Sequence, residues 1–448
     1  MSSPTPSRRL AARTLRGTAL VAVLGLTLAA CGGGDGSPED VAAAVEEGGT
    51  LTVWAWDPTM EQVAADFETA NPGVTVELAN VGTGNDQYTA LQNAISAGSG
   101  GPDVAQVEYY ALPQFVLGEA LADLGPLGAD DLEGTYTPGP WNAVQAAGQG
   151  EGIYGLPIDS GPMALFYNAA VFEEAGVEVP TTWDEYVEAG RQIHAALPDT
   201  YITADTGDAG FATSLIWQAG GEPFTVDGTD VGIDLADEGS ARFAEMWQPM
   251  IDEELLAPIN PWTDEWFAAL GGGQVASLVT GAWMPGNLVS GAADASGDWR
   301  VAPMPQWEEG GAATSENGGS SLAVMEASEQ QELAYAFLDF AAAGDGIASR
   351  VEEGAFPATV AELESEEFLA QEPEYFGGQR INEVLAESAT EVVDGWQYLP
   401  FQVYANSVFN DTVGQAYVGG TTLSEGLQSW QGDLTTYGEQ QGFGTAAR

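Results

Sequence analysis

The residues of this chain that could do chemistry are unevenly supplied. Its 448 residues include 67 aspartates and glutamates, one histidine, one cysteine and no lysine. Without lysine there is neither a P-loop nor a Schiff base. His194 lies within RQIHAAL, a helical run in which a lone imidazole serves packing, and nothing around it suggests a Ser-His-Asp triad or a zinc site. Carboxylate pairs suit glycoside hydrolysis, and with 67 acids counting alone leaves that option open. No residue set calls for a cofactor, and none is expected.

The single cysteine has a more specific setting. Arg8, Arg9, Arg13 and Arg16 form a basic start, and Ala19 to Ala30 is an apolar segment too short to span a bilayer stably. Residues 1–30 therefore read as a signal peptide. Leu28-Ala29-Ala30-Cys31 resembles the lipobox of bacterial lipoproteins, which implies diacylglycerol on the Cys31 sulfur and cleavage just before it. An ordinary signal peptide with an incidental cysteine is the plainer alternative. Acyl chains contribute about 0.8 kcal/mol per buried CH₂, so two or three anchor durably. Residues 31–48 are expected to form a flexible tether beyond the lipid, and the mature chain has no second cysteine for a disulfide.

The charge balance excludes one class of partner. All ten basic residues are arginine and four fall in the signal, which holds no acid, so the 418 residues from Cys31 carry six arginines against 67 acids, or −61. Nucleic acid is thereby an implausible partner, since phosphate binding needs clustered Lys or Arg. Self-repulsion of this size is relieved by salt, whose Debye length falls to about 3 Å at 1 M. The composition points to a saline or alkaline exterior, the alternative being an acidic surface that aids solubility.

The elements that would position a site follow from periodicity. Thr50 to Trp56 is β-branched and aromatic, hence a strand, and Met60 to Ala70 is a helix ended by Asn71-Pro72-Gly73. Val74 to Ala79 alternates as a second strand, Tyr88 to Ala97 is helical, and Asp103 to Val107 is a short buried strand. That order indicates βαβ units and a parallel sheet. A second region begins near Ile158 with a strand over Ala164 to Asn168. A helix follows at VPTTWDEYVEAGRQIHAAL, in which Thr182 and Glu185 have capping-box spacing.

TLTVWAWDP, ANPGVTVE, YTALQNAISAGSGGPDVAQVE, YGLPIDSGPMALFYNAAVFEEAGVEVPTTWDEY and GGSSLAVMEASEQQELAYAFLDF stand in an order that resembles the solute-binding proteins of carbohydrate ABC importers, the maltose-binding-protein-like family. The resemblance implies an α/β, two-lobed periplasmic-binding-protein-like fold of type II. Each lobe would be a mainly parallel sheet covered by helices, with the ligand cleft between lobes. It places the first lobe at 49–158 plus about 322–353 and the second at about 163–318 plus 357–448. Crossovers are then expected near Asp159 to Met163, Gly318 to Ser321 and Gly354 to Pro357. It implies a monomeric, non-enzymatic receptor on the outer face of the cell membrane, with a carbohydrate ligand and an ABC permease as partners.

A sugar offers apolar C–H faces and a rim of hydroxyls, so its site needs flat aromatics and planar acceptors or donors. In open α/β sheets these come from the C-terminal ends of strands. On that basis the resemblance points to Trp56 and Asp57 beyond the first strand, Asp103 in the GGPD loop, and Glu108 and Tyr109 (with Tyr110) after the third strand. Asp159 lies at the first crossover, Trp217 before Gly220-Gly221, and Trp283 in TGAWMPG. Gly319 lies in a segment where glycine lets main chain approach a ligand, and Trp396 belongs to an aromatic cluster with Tyr398 and Phe401. For several of these a structural role is the alternative: Asp103 as a turn cap, Asp159 as a hinge cap, the Trp396 cluster as core. Two rival functions remain: a glycoside hydrolase, and the same fold binding a polyamine, metal or organic anion.

Overall fold

Leu51 and Val53 in TLTVW alternate with partly exposed neighbours, and this run is the first strand of a sheet. A computed structural model describes residues 36–145 and 152–446. The strands are β1 Gly49–Trp54, β2 Val74–Ala79, β3 Val104–Glu108, β4 Leu156–Pro157, β5 Met163–Asn168, β6 Phe224–Asp227, β7 Asp230–Ile233, β8 Ser277–Gly281, β9 Trp299–Pro303, β10 Ser320–Val324 and β11 Gly444–Ala446.

The first lobe is built on a five-stranded sheet of order β2-β1-β3-β10-β4. β1 is parallel to β2 and β3, whereas β10 runs antiparallel to β3 and β4. Helices Met60–Ala70, Asn85–Ala97 and Gln331–Ala342 cover it. They bury Val63, Phe67, Tyr88, Leu91, Phe337 and Leu338 in one core with Leu51, Val53, Val104 and Val107.

The second lobe departs from the expected parallel sheet. Its central three strands have the order β8-β5-β9, and β5 is antiparallel to both neighbours. The physical reason lies in the connections. β8 and β9 are joined through the helix Met284–Gly291 and run the same way, as a helical crossover requires, while β5 enters between them from the other lobe in the opposite sense. The C-terminal ends of β8 and β9 meet the start of β5 and so face the junction between lobes, with Gly281 opposite Met163 and Pro303 opposite Ala164. The two-lobed α/β class stands; the strand directions of the second lobe are corrected. Thr182 caps the helix Trp183–Ala196 with a complete capping box.

Two boundaries also move. Residues 38–47 are not tether. Pro38–Glu47 is a helix whose N-cap, Ser37, accepts from the Asp40 N–H, and its Val41, Ala44 and Val45 pack on the first lobe's core. The expected signal peptide, the expected lipidation site Cys31 and the expected tether up to residue 35 lie outside the described residues. The third crossing extends past Pro357. Phe356 is buried with the second lobe, yet Ala358 returns to the first lobe's core, and its carbonyl accepts from the Thr137 N–H (3.0 Å). The Val360 N–H then donates to the Thr135 carbonyl (2.9 Å) before Leu363 rejoins the second lobe. Backbone pairing with 135–137 holds this segment on the first lobe longer than its sequence suggests.

Candidate functional site

The C-terminal ends of β1 and β3 present one wall of the junction. Trp56, half-buried beyond β1, meets Tyr88 edge-on at 6.4 Å, and Tyr88 meets Tyr110 at 6.1 Å. The Tyr88 hydroxyl donates to the Glu108 carboxylate (2.9 Å) and accepts from the Glu108 N–H (3.0 Å). Burial raises the Glu108 carboxyl to about 7, against the lowering effect of the hydrogen bonds from Tyr88 and Tyr110. Gln106, buried in the middle of an apolar strand, supports this wall. Its side-chain Oε1 accepts from the N–H groups of Trp56 and Asp57, both at 3.0 Å, and its side-chain Nε2 donates to Ser320 Oγ at 2.9 Å.

Between the lobes lies a pocket of about 220 Å³. Tyr109, Pro113, Gly139 and Asn142 line it from the first lobe, with Trp217, Val393, Trp396 and Tyr398 opposite. The Trp217 and Trp396 rings are parallel, with centroids 5.2 Å apart and planes 8° apart. The Trp217 indole N–H donates to the Val393 carbonyl (2.6 Å), whereas the Trp396 indole nitrogen is buried without a partner. The Tyr109 hydroxyl donates to the Asp159 carbonyl (2.6 Å), which fixes that ring at the pocket's base.

Of the residues singled out from the sequence, Tyr109, Trp217 and Trp396 meet in this pocket. Glu108 and Trp56 lie on the adjoining wall. Asp159 stands at the first crossing, where its carboxylate accepts from the Ser320 N–H and hydroxyl, and burial raises it to about 6 although Arg350 opposes the shift. Trp283 follows β8, half-buried, its indole N–H donating to the Asn317 carbonyl (2.7 Å) of the second crossing and its ring tilted 34° against Trp262.

Three residues are placed otherwise. Asp103 precedes β3, at the opposite end of the strand from Glu108, roughly 16 Å away at about 3.3 Å per residue. Its carboxylate accepts from the Thr52 N–H (2.8 Å) and the Ser328 hydroxyl (2.6 Å), so it braces a turn. Asp57 is also occupied: one oxygen accepts from the N–H and hydroxyl of Thr59, the other pairs with Arg350 at 3.0 Å. Gly319, with φ +93°, permits a close approach, but to Tyr109: a Cβ there would stand 2.5 Å from Tyr109 Cε2.

Sequence reasoning did not reach Tyr88, Gln106, Arg350 or Glu316. Gln106 left a legible signal, a polar residue inside the apolar run VAQVE. Arg350 and Glu316 left none, because their partners lie far off in the chain.

The profile of bacterial extracellular solute-binding proteins matches residues 55–346. Among solved structures, the ABC transporter associated binding protein from B. animalis subsp. lactis Bl-04, in complex with beta-1,6-galactobiose, is 48% identical. Its match covers 88% of this chain and 99% of that one, with a TM-score of 0.81. The arabinooligosaccharide-binding protein of Halalkalibacterium halodurans is 26% identical over 346 residues, 74% of this chain and 76% of the relative. The lactose-binding protein of Rhizobium radiobacter is 26% identical over 360 residues, 77% of this chain and 83% of the relative.

Proposed function

This chain belongs to the family of bacterial extracellular solute-binding proteins, and from that premise we propose that it captures a short galactose-containing oligosaccharide between its lobes and delivers it to an ABC import permease. The observation that carries the reading is the interlobe pocket walled by Trp217, Trp396, Tyr109 and Tyr398. Flat faces suit the C–H surfaces of pyranose rings, and the carboxylates of Glu108 and Asp159 beside them suit hydroxyl donors. The 48% identical relative holding beta-1,6-galactobiose supports a ligand of that size and kind. Trp56 and Trp283 extend the aromatic surface along the cleft.

The protein acts as a receptor with no chemistry of its own, in keeping with relatives named as sugar-binding proteins and with the transporter-associated binding protein of known structure. It is held at the outer face of the membrane by lipid on Cys31 and works as a monomer. Its acidic surface suits a saline exterior. Among the described residues the ion pairs involve only Arg191, Arg242, Arg350 and Arg380, which leaves most carboxylates unpaired.

A second reading has its own observation, the gathering of Glu108, Asp159 and Glu316 near the junction, which would favour a polyamine. Calorimetric titration with beta-1,6-galactobiose, lactose, an arabinooligosaccharide and spermidine separates the two. Saturable binding of galactobiose supports the receptor proposed, whereas spermidine alone binding overturns the ligand class.

A further inference from the structure

Two of the chain crossings that join the lobes run side by side as an antiparallel ribbon. Main-chain bonds hold it at intervals: the Ile158 N–H to the Ser320 carbonyl (3.0 Å), the Asn317 N–H to the Gly161 carbonyl (2.8 Å), and the Met163 N–H to the Ser315 carbonyl (2.9 Å). Between these points carboxylates stand in for ladder bonds. Asp159 on the first crossing accepts from Ser320 on the second. Glu316 on the second accepts from the Ser160 hydroxyl and the Gly161 N–H on the first, each at 2.8 Å.

Glu316 also touches both lobes. Its carbonyl accepts from the Ser214 hydroxyl of the second lobe at 2.7 Å. Its carboxylate lies against Gly139 of the first lobe, where a Cβ would come within 3.2 Å of Oε1. The residue is 4% exposed, and none of the sugar contacts proposed above uses it.

We propose that Glu316 is a positioning residue for ligand capture, tying the two crossings together where the lobes pivot and so fixing the arrangement in which ligand is held. This rests on the reading of the cleft as the ligand site. A ladder bond fixes the backbone of both strands, whereas a glutamate side chain can follow the facing strand through a change of angle and keep both its bonds. Gly318 (φ +77°) and Gly319 (φ +93°) supply main-chain freedom beside it.

The same carboxyl makes the pivot sensitive to protons. Burial raises it to about 7, the bonds from Gly161 and Ser160 pull it down, and the charge of Asp159 adds to the rise. The ionisable groups that face it are Asp159 from the first crossing, Tyr109 beyond β3 and Tyr398 from the C-terminal segment, with Arg350 acting on Asp159 and Tyr109. In the pivot proposed here, lobe closure sheds what water remains around the carboxyl and disfavours the anion, so the closed state holds the proton more tightly than the open one. By linkage, ligand affinity rises as pH falls through about 7.

The test is the affinity of the protein for beta-1,6-galactobiose at pH 5.5, 7.0 and 8.5 in the wild type, E316Q and E316A. Glutamine can keep both hydrogen bonds without titrating. The expected wild-type affinity weakens several-fold from pH 5.5 to 8.5, E316Q is markedly flatter, and E316A binds roughly tenfold more weakly throughout. A pH profile of E316Q that superimposes on the wild type overturns the proposal, and it decides the matter alone if E316A does not fold. If the wild type binds no galactobiose, the ligand assignment fails while the pivot is still read from X-ray scattering of the ligand-free protein. Compaction that follows pH in the wild type and not in E316Q supports the role, and identical curves overturn it.

Discussion

Trp217 and Trp396 lie parallel, 5.2 Å between centroids, one from the helix Ala209–Gln218 and the other from the C-terminal segment. Because Trp217 spends its indole N–H on the Val393 carbonyl, it serves as a fixed backing for Trp396. The half-buried Trp396 also meets Phe224 and Tyr398 edge-on, which leaves its ring little freedom to turn. A rigid aromatic wall costs a ligand little ordering, which is what a sugar with weak individual contacts needs.

Replacing Trp396 with alanine removes that wall. The W396A variant is expected to bind beta-1,6-galactobiose about ten- to a hundredfold more weakly, roughly 1.4–2.8 kcal/mol. Calorimetric titration checks this, and circular dichroism confirms that the fold persists.

Arg350 is 2% exposed and pairs with Asp57 at 3.0 Å while its other nitrogens donate to Thr59 Oγ1 and the Ile158 carbonyl. It therefore ties the end of β1 to the first crossing. Arg350→Met leaves the Asp57 carboxylate buried without its partner, and a cost of about 3–5 kcal/mol is expected in urea unfolding. The double variant with Asp57→Asn should recover part of that loss, since it removes the stranded charge.

What was legible in the sequence was mostly local. The strand at TLTVW, the alternating VTVELA and the Thr182–Glu185 capping box each depend on neighbours within a few residues, and the structure forms all three. Asp103 stood at the start of its strand, away from the end that faces the cleft, but the partners it braces, Thr52 and Ser328, lie far off in the chain and left no local mark. The Asp57–Arg350 pair, which joins β1's end to a helix near the third crossing, likewise had no local signature. Strand direction in the second lobe was hidden for the same reason, because β5 meets partners more than a hundred residues away.

Stability should depend on pH in a direction set by buried acids. Burial raises Glu108 and Glu316 to about 7 and Asp159 and Asp205 to about 6. A carboxyl raised on folding binds its proton more tightly in the folded state. Its contribution is complete below the unfolded value, near 4, and is lost as pH rises through the folded value. Exposed Glu185 and Glu425, lowered by their cap hydrogen bonds, act in the opposite sense at low pH. The melting temperature is thus expected to rise from pH 8 to about pH 5 and to fall below about pH 4. A steady decline from pH 8 to pH 5 would contradict this assignment.

Salt offers a separate check on the charge. At −57 overall, repulsion among exposed carboxylates works against the compact state, and ions screen it. The melting temperature should climb steeply between low salt and about 1 M. Equal stability at both would mean that the acidic surface is not an adaptation to salt.

The central claim is that the aromatic pocket between the lobes holds a galactose-containing sugar, and calorimetric titration of the purified protein with beta-1,6-galactobiose tests it most directly. Saturable one-to-one binding, sharply weakened in W396A, is the expected result. No binding of galactobiose, lactose or an arabinooligosaccharide by a folded protein that does bind spermidine would contradict it.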